Sequence, residues 1–184
     1  MRGRKIFGVL VSLVMAGAFA LAAPAAGAAT GVSHDEGPLP PPALAVLPAS
    51  VAQSPGTATA AAITYEWNVA GAGSAPSSAH TYGCTSRSGS NACFQPYGDH
   101  WSVQDTLADG HSATASWYDW HFNGSQYVLI REGSCVNERG HGTWGACSKN
   151  YVEADLIVWY ACVYDAGDGT WYGCSESESM YANS

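Results

Sequence analysis

The chain has 184 residues, 47% of them hydrophobic and 12% charged, with seven Lys and Arg against fifteen Asp and Glu. Three of the seven basic residues, Arg2, Arg4 and Lys5, stand at the N-terminus. Without them four remain (Arg87, Arg131, Arg139, Lys149), for a net charge of about −11. So acidic a chain has nothing to neutralise a run of phosphates, which excludes nucleic acid and an anionic membrane surface as general partners.

In chain order, the basic start is followed by an apolar stretch from Ile6 to Ala22 and by small residues ending Ala26-Gly27-Ala28-Ala29. That pattern predicts a secretory signal peptide over 1–29. The alternative, an uncleaved anchor, is borderline in length and has the wrong flanks. A secreted, extracellular mature protein is expected.

Residues 30–62 hold no Trp, Tyr, Phe or Cys and carry Pro38-Leu39-Pro40-Pro41-Pro42 among Ala, Ser and Thr. Proline fixes φ and biases its predecessor toward extended backbone, so an extended Pro/Ala-rich segment is predicted. A simple tether would suit that composition. Leu39, Leu44, Val46 and Leu47 are unusual in a solvated linker and make candidate partner-binding residues, by adding a strand or lying in a groove.

The folded domain is expected over 63–184. Ile63, Tyr65, Trp67 and Val69 alternate with Thr64, Glu66, Asn68 and Ala70, the period of a half-buried strand. Gly71 to Ser78 reads as a loop. Strands are predicted near 79–85, 92–97, 100–107, 112–122, 126–136, 144–151, 154–165 and 170–175. The run Leu156 to Tyr164 is apolar on both faces and so belongs at the centre of a sheet. The fold class is therefore all-β, a single antiparallel β-sandwich.

An internal repeat runs through the second half. Leu129-Ile130, Cys135-Val136, Gly140-His141-Gly142-Thr143-Trp144 and Cys147-Ser148 recur 27 residues later as Leu156-Ile157, Cys162-Val163, Gly167-Asp168-Gly169-Thr170-Trp171 and Cys174-Ser175. Each copy reads as a hairpin whose two glycines supply positive φ. The six cysteines then pair locally as Cys84–Cys93, Cys135–Cys147 and Cys162–Cys174, because opposed residues on paired strands lie within disulfide reach. A zinc site is the competing use of cysteine, but no C-x-x-C occurs.

Carboxylate and imidazole stand close together in Asp99-His100, Asp109-Gly110-His111 and Asp119-Trp120-His121. Such pairs bind metals and move protons. Turn chemistry and ordinary partly exposed histidines account for them better, and no nucleophile signature occurs, so no catalytic residue, metal or cofactor is assigned. Asn123-Gly124-Ser125 matches a glycosylation sequon and reads better as a hairpin turn. Trp117, Trp120, Trp144 and Trp171 could form a sugar-stacking platform, although a small sandwich also needs large residues inside. Trp144 and Trp171 follow turns and are the candidates for partner binding at a rim.

The stretch Ala92-Cys93-Phe94-Gln95-Pro96-Tyr97-Gly98-Asp99-His100-Trp101-Ser102-Val103, then Ala108 to Ala113 and Gly133 to Cys147, resembles a group of small secreted streptomycete proteins. One branch of similar layout is the adaptor subunit of antibacterial umbrella toxin particles. That resemblance implies a non-enzymatic adaptor joining larger secreted proteins, with carbohydrate contacted only indirectly. The other readings are a carbohydrate-binding module or enzyme inhibitor acting through the hairpin tips, and a small hydrolase.

Overall fold

The computed structural model describes Ile63 and Tyr65–Asn183. The expected signal peptide and the segment 30–62, with Leu39, Leu44, Val46 and Leu47, lie outside the described residues. Period-two alternation and β-branched or aromatic residues produce strands throughout, and no helix occurs among the described residues.

The strands fall into two sheets. Sheet A contains β1 (Tyr65–Val69), β6 (Ser112–Phe122), β7 (Tyr127–Asn137), β9 (Leu156–Asp165), β10 (Thr170–Cys174) and β11 (Glu178–Tyr181). Its order is β1-β7-β6-β9-β10, and β11 pairs the half of β9 that β10 leaves open. Sheet B contains β2 (Gly71–Ala72), β3 (Gly83–Arg87), β4 (Ser90–Gln95), β5 (His100–Asp105) and β8 (Trp144–Ser148), in the order β2-β8-β5-β4-β3. The central position expected for the Leu156 run holds, since β9 has β6 on one side and β10 and β11 on the other.

The core lies between the sheets. Ala92, Phe94, Trp101 and Val103 from sheet B meet Ala115, Trp117, Ile157 and Trp159 from sheet A, with Tyr151 completing the cluster. Trp101 and Trp159 stack edge to face at 5.6 Å, a geometry that adds to what area burial alone contributes. Trp101 Nε1 donates to the Tyr151 hydroxyl at 3.0 Å and Trp159 Nε1 to the Ala92 carbonyl at 3.3 Å.

Five expectations need correction. The pairing is not wholly antiparallel, because β1 joins β7 in parallel from Tyr65↔Glu132 to Val69↔Val136. Gly71–Ala72, read as loop, pairs with β8, and β11 stands where no strand was expected. The first repeat copy is not a hairpin: β7 pairs within sheet A and β8 within sheet B, so its Gly140–Gly142 turn is a corner between layers. The second copy is a true hairpin, β9 with β10, and there only Gly169 has positive φ, whereas Gly140 and Gly142 both do.

The three disulfides form as the spacing predicts. Their geometry divides them. Cys84↔Cys93 and Cys162↔Cys174 are register partners on adjacent strands, each with Cα atoms 4.1 Å apart. Cys135–Cys147 instead joins the two sheets, Cα to Cα 6.0 Å.

Candidate functional site

The β6 strand runs the length of the sandwich and places the three Asp/His pairs. Asp109 and His111 precede it at one end, while Asp119 and His121 close it at the other. Asp99 and His100 belong to that second end, where Asp99 Oδ2 accepts from the Tyr151 backbone N–H at 2.8 Å. Two of the three pairs thus come together and the third stands about 30 Å away along the strand.

At the shared end, Asp119 is fully buried on the inner face of β6. It meets Asp155, which begins the approach to β9 and is itself nearly fully buried. His121 Nδ1 lies 2.7 Å from Asp155 Oδ1, with the imidazole 43% exposed. With both carboxyls ionised no donor reaches either Asp119 oxygen. Protonated, Asp119 donates to Asp155, a hydrogen bond that favours its neutral form. Burial first, and then the neighbouring Asp155 charge, push the Asp119 pKa up to about 8, against the pull of Arg131 at 3.8 Å. Asp99 is also raised, mainly by burial.

Beside this pair lies a cationic group. Arg131 Nε donates to Glu66 Oε1 at 2.9 Å and its Nη1 to the Asn150 carbonyl at 2.9 Å. Lys149 Nζ donates to Glu66 Oε2 at 2.6 Å and to Asn68 Oδ1. Arg131 lies over the Trp117 and Tyr151 rings and Lys149 over Trp117, at 4.9–5.7 Å. Burial opposes ionisation of Glu66, but the two cations outweigh it and hold its carboxyl below the ordinary value.

The outer surface at this end is aromatic. Phe122 and Tyr127 are register partners with ring centroids 5.3 Å apart, and the Tyr127 and Tyr181 hydroxyls are 3.2 Å apart. Phe122 is 43% and Tyr181 49% exposed. None of the three was singled out in the sequence. The missing signal was β11, which brings Tyr181 beside β9.

At the opposite end a cavity of about 170 Å³ opens between the 106–111 and 138–143 loops, lined by Asp105, Leu107, His111, Asn137, Glu138 and His141 among others. It is smaller than the ~300–1,000 Å³ pockets that enclose drug-sized ligands, and suits one side chain or one small ring. Burial, above all, raises the Asp105 carboxyl. His111 reaches Asp109 at 3.4 Å and Asp165 at 3.5 Å, and its ring faces the exposed Tyr172 ring at 4.4 Å.

The tryptophan candidates separate. Trp117 is fully buried and serves the core. Trp171 is half-buried against Tyr164 at 4.9 Å and Trp67 at 6.3 Å, and Trp120 is half-buried on the same outer face of sheet A. Trp144 is half-buried on the outer face of sheet B beside Gln104. The four therefore form no common platform. No group of three or more His, Cys, Asp or Glu among the described residues is arranged to hold a metal ion.

No protein-family model, curated protein or solved structure matches this chain. Three disulfides accord with an extracellular, oxidising environment.

Proposed function

We propose that the chain is a secreted, non-enzymatic adaptor that joins larger extracellular proteins. The observation that carries this reading is the Phe122, Tyr127 and Tyr181 patch. Exposed aromatic side chains held rigidly on a sheet supply large contact area at low entropic cost, and such residues dominate binding energy at protein interfaces. An adaptor also needs a second, separate surface. The acidic cavity at the far end of β6 supplies one of different chemistry. The buried Asp119–Asp155 pair argues against hydrolysis, because a substrate cannot reach a fully buried carboxyl. Likeness to the umbrella-toxin adaptor subunits supports the same assignment, with partners among secreted toxin and lectin-like proteins.

The test compares the mature chain with the Phe122→Ser/Tyr181→Ser variant. Each is purified from the secreted fraction of the producing cells and sized by light scattering. The wild-type chain is expected in a complex several times its own mass, with bound proteins identified by mass spectrometry. The variant should elute alone with unchanged thermal stability. A wild-type chain that is monomeric throughout would discard the adaptor reading. In that event a binding module acting through the hairpin tips becomes the better account, favoured by the exposed Tyr172 ring beside His111. Glycan-array binding lost in Tyr172→Ala would establish it.

A further inference from the structure

The cavity between the 106–111 and 138–143 loops is built around one carboxyl. Asp105 ends β5, lines the cavity and is 3% exposed. Its backbone N–H donates to the Thr143 carbonyl at 3.3 Å, and its carbonyl accepts from the Gly142 N–H at 2.8 Å, which fixes the 138–143 loop beside it. Its side-chain Oδ1 accepts from the Leu107 backbone N–H at 3.0 Å, which fixes the start of the other loop. Asn137, fully buried, braces the same opening: Nδ2 donates to the Val103 and Thr143 carbonyls, and Oδ1 accepts from the Arg139 N–H. The cavity is therefore held open by hydrogen bonds on both sides of Asp105.

Those bonds leave the second oxygen, Asp105 Oδ2, without a donor among the described residues. No described Lys or Arg forms an ion pair with Asp105 or with Glu138, the second carboxylate of the lining. The charges that act on Asp105 are those of Asp109, which repels, and of His141 when protonated. A buried carboxyl with no counter-charge is costly, and what this cavity lacks is a cation with several N–H donors. A metal ion does not fit, since the acidic and imidazole groups do not converge as ligands would. Among organic cations, an ammonium is a compact and strongly hydrated charge. A guanidinium is planar, gives up water more readily, and presents its donors as a fork. That fork suits acceptors standing apart, Asp105 before one loop and Glu138 on the other. Leu107 and Ala108 offer apolar surface to a methylene stem.

We propose that this cavity receives a guanidinium group, carried by an arginine side chain of a partner protein, with Asp105 Oδ2 and Glu138 as its acceptors. The volume of about 170 Å³ suits one such side chain. The choice of a guanidinium rests on the cavity alone, and its source in a partner rests on the adaptor reading. An arginine seated in a preformed acidic opening makes an interface anchor, because a charge-assisted hydrogen bond shielded from water is both strong and selective in direction. So acidic a chain also draws a basic partner from a distance. The Phe122, Tyr127 and Tyr181 patch lies at the other end of β6, so the two surfaces can be occupied together.

The experiment titrates the mature chain with the blocked tripeptide acetyl-Gly-Arg-Gly-amide and follows backbone amide shifts by NMR. Saturable shifts at Leu107, His111 and Gly142, at millimolar peptide, are expected. The same tripeptide with citrulline in place of arginine, alike in shape but uncharged, should produce none. Asp105→Asn keeps an oxygen for the Leu107 N–H while removing the charge, and should weaken binding about tenfold or more. Glu138→Gln alters an exposed side chain and should weaken it several-fold with the fold intact. Equal binding of the citrulline peptide, shifts confined to other residues, or unchanged affinity in both variants would overturn the proposal. Phe122→Ser/Tyr181→Ser should bind the peptide as wild type does, so failure of the aromatic patch and failure of this cavity are read separately. A wild-type chain that binds the peptide and yet is monomeric in the secreted fraction would overturn the partner as the source of the arginine.

Discussion

Asp119 is held by one proton. Its carboxyl is fully buried, faces Asp155, and meets Arg131 only at 3.8 Å, too far for a hydrogen bond. A carboxyl whose pKa is raised on folding binds its proton more tightly in the folded than in the unfolded chain. The resulting stability is present in full below the unfolded value near 4 and is lost as pH climbs through about 8. Wild-type stability should therefore fall between pH 5 and pH 8, opposite to the usual carboxylate. In Asp119→Asn the amide donates to Asp155 at every pH. The variant should gain stability at pH 8 relative to pH 5, by up to about 3–4 kcal/mol, since each pH unit between the unfolded and folded values is worth about 1.4 kcal/mol. Thermal melts at the two pH values check this, and equal slopes for both proteins would refute it. The Asp/His spacing in the sequence pointed toward this end of the molecule. It did not reveal Asp155, because the pairing of carboxyls across 36 residues is a product of the sheet register.

At the element scale, two positions carry more than their residue type suggests. Gly133 on β7 faces Trp117 on β6 and Glu66 on β1, and a Cβ there would run into the Glu66 carbonyl oxygen and the Trp117 ring. Backbone cannot yield as a flexible side chain does. Gly133→Ala should thus detach β1 from sheet A, destabilising by about 2–4 kcal/mol. Hydrogen exchange should show lost protection at Tyr65–Val69 before any other strand. The disulfides make the second case. Cys135–Cys147 and Cys162–Cys174 close loops of equal length, so chain entropy assigns each a similar contribution of about 3 kcal/mol. Only Cys135–Cys147 ties the sheets together, and both its residues sit in the core. Replacing that pair by alanine should lower Tm more than replacing Cys162 and Cys174, because a packing loss adds to the entropic one. Equal losses in calorimetry would show that the inter-sheet position adds nothing. Strand existence was largely legible from period and turn residues. The corner at Gly140–Gly142 was not, since strand, Gly-x-Gly, strand suits a hairpin and a change of layer alike. β2 and β11 were hidden for another reason. Gly71–Ala72 and Glu178–Tyr181 have weak strand character of their own, and pair because β8 and β9 offer them open edges.

For the molecule as a whole, the chain passes between the sheets repeatedly: from β1 to β2, from β5 to β6, from β7 to β8 and from β8 to β9. Composition foretold enough aromatic residues for one core, and the crossings are why there is only one. Neither sheet can be completed without the other, and Trp101, Trp117 and Trp159, one from sheet B and two from sheet A, bury one another at their interface. Loss of either sheet would expose all three. With the disulfides intact, urea unfolding should therefore be a single transition. Tryptophan fluorescence, which reads the core, and far-ultraviolet dichroism, which reads the strands, should share one midpoint. Refolding should take milliseconds to seconds, since most contacts join residues distant in sequence. Midpoints that separate by more than the error of the two probes would mean that one sheet survives alone. That result would contradict the shared core, and would point to sheet A, which carries apolar side chains on both faces, as the part that persists.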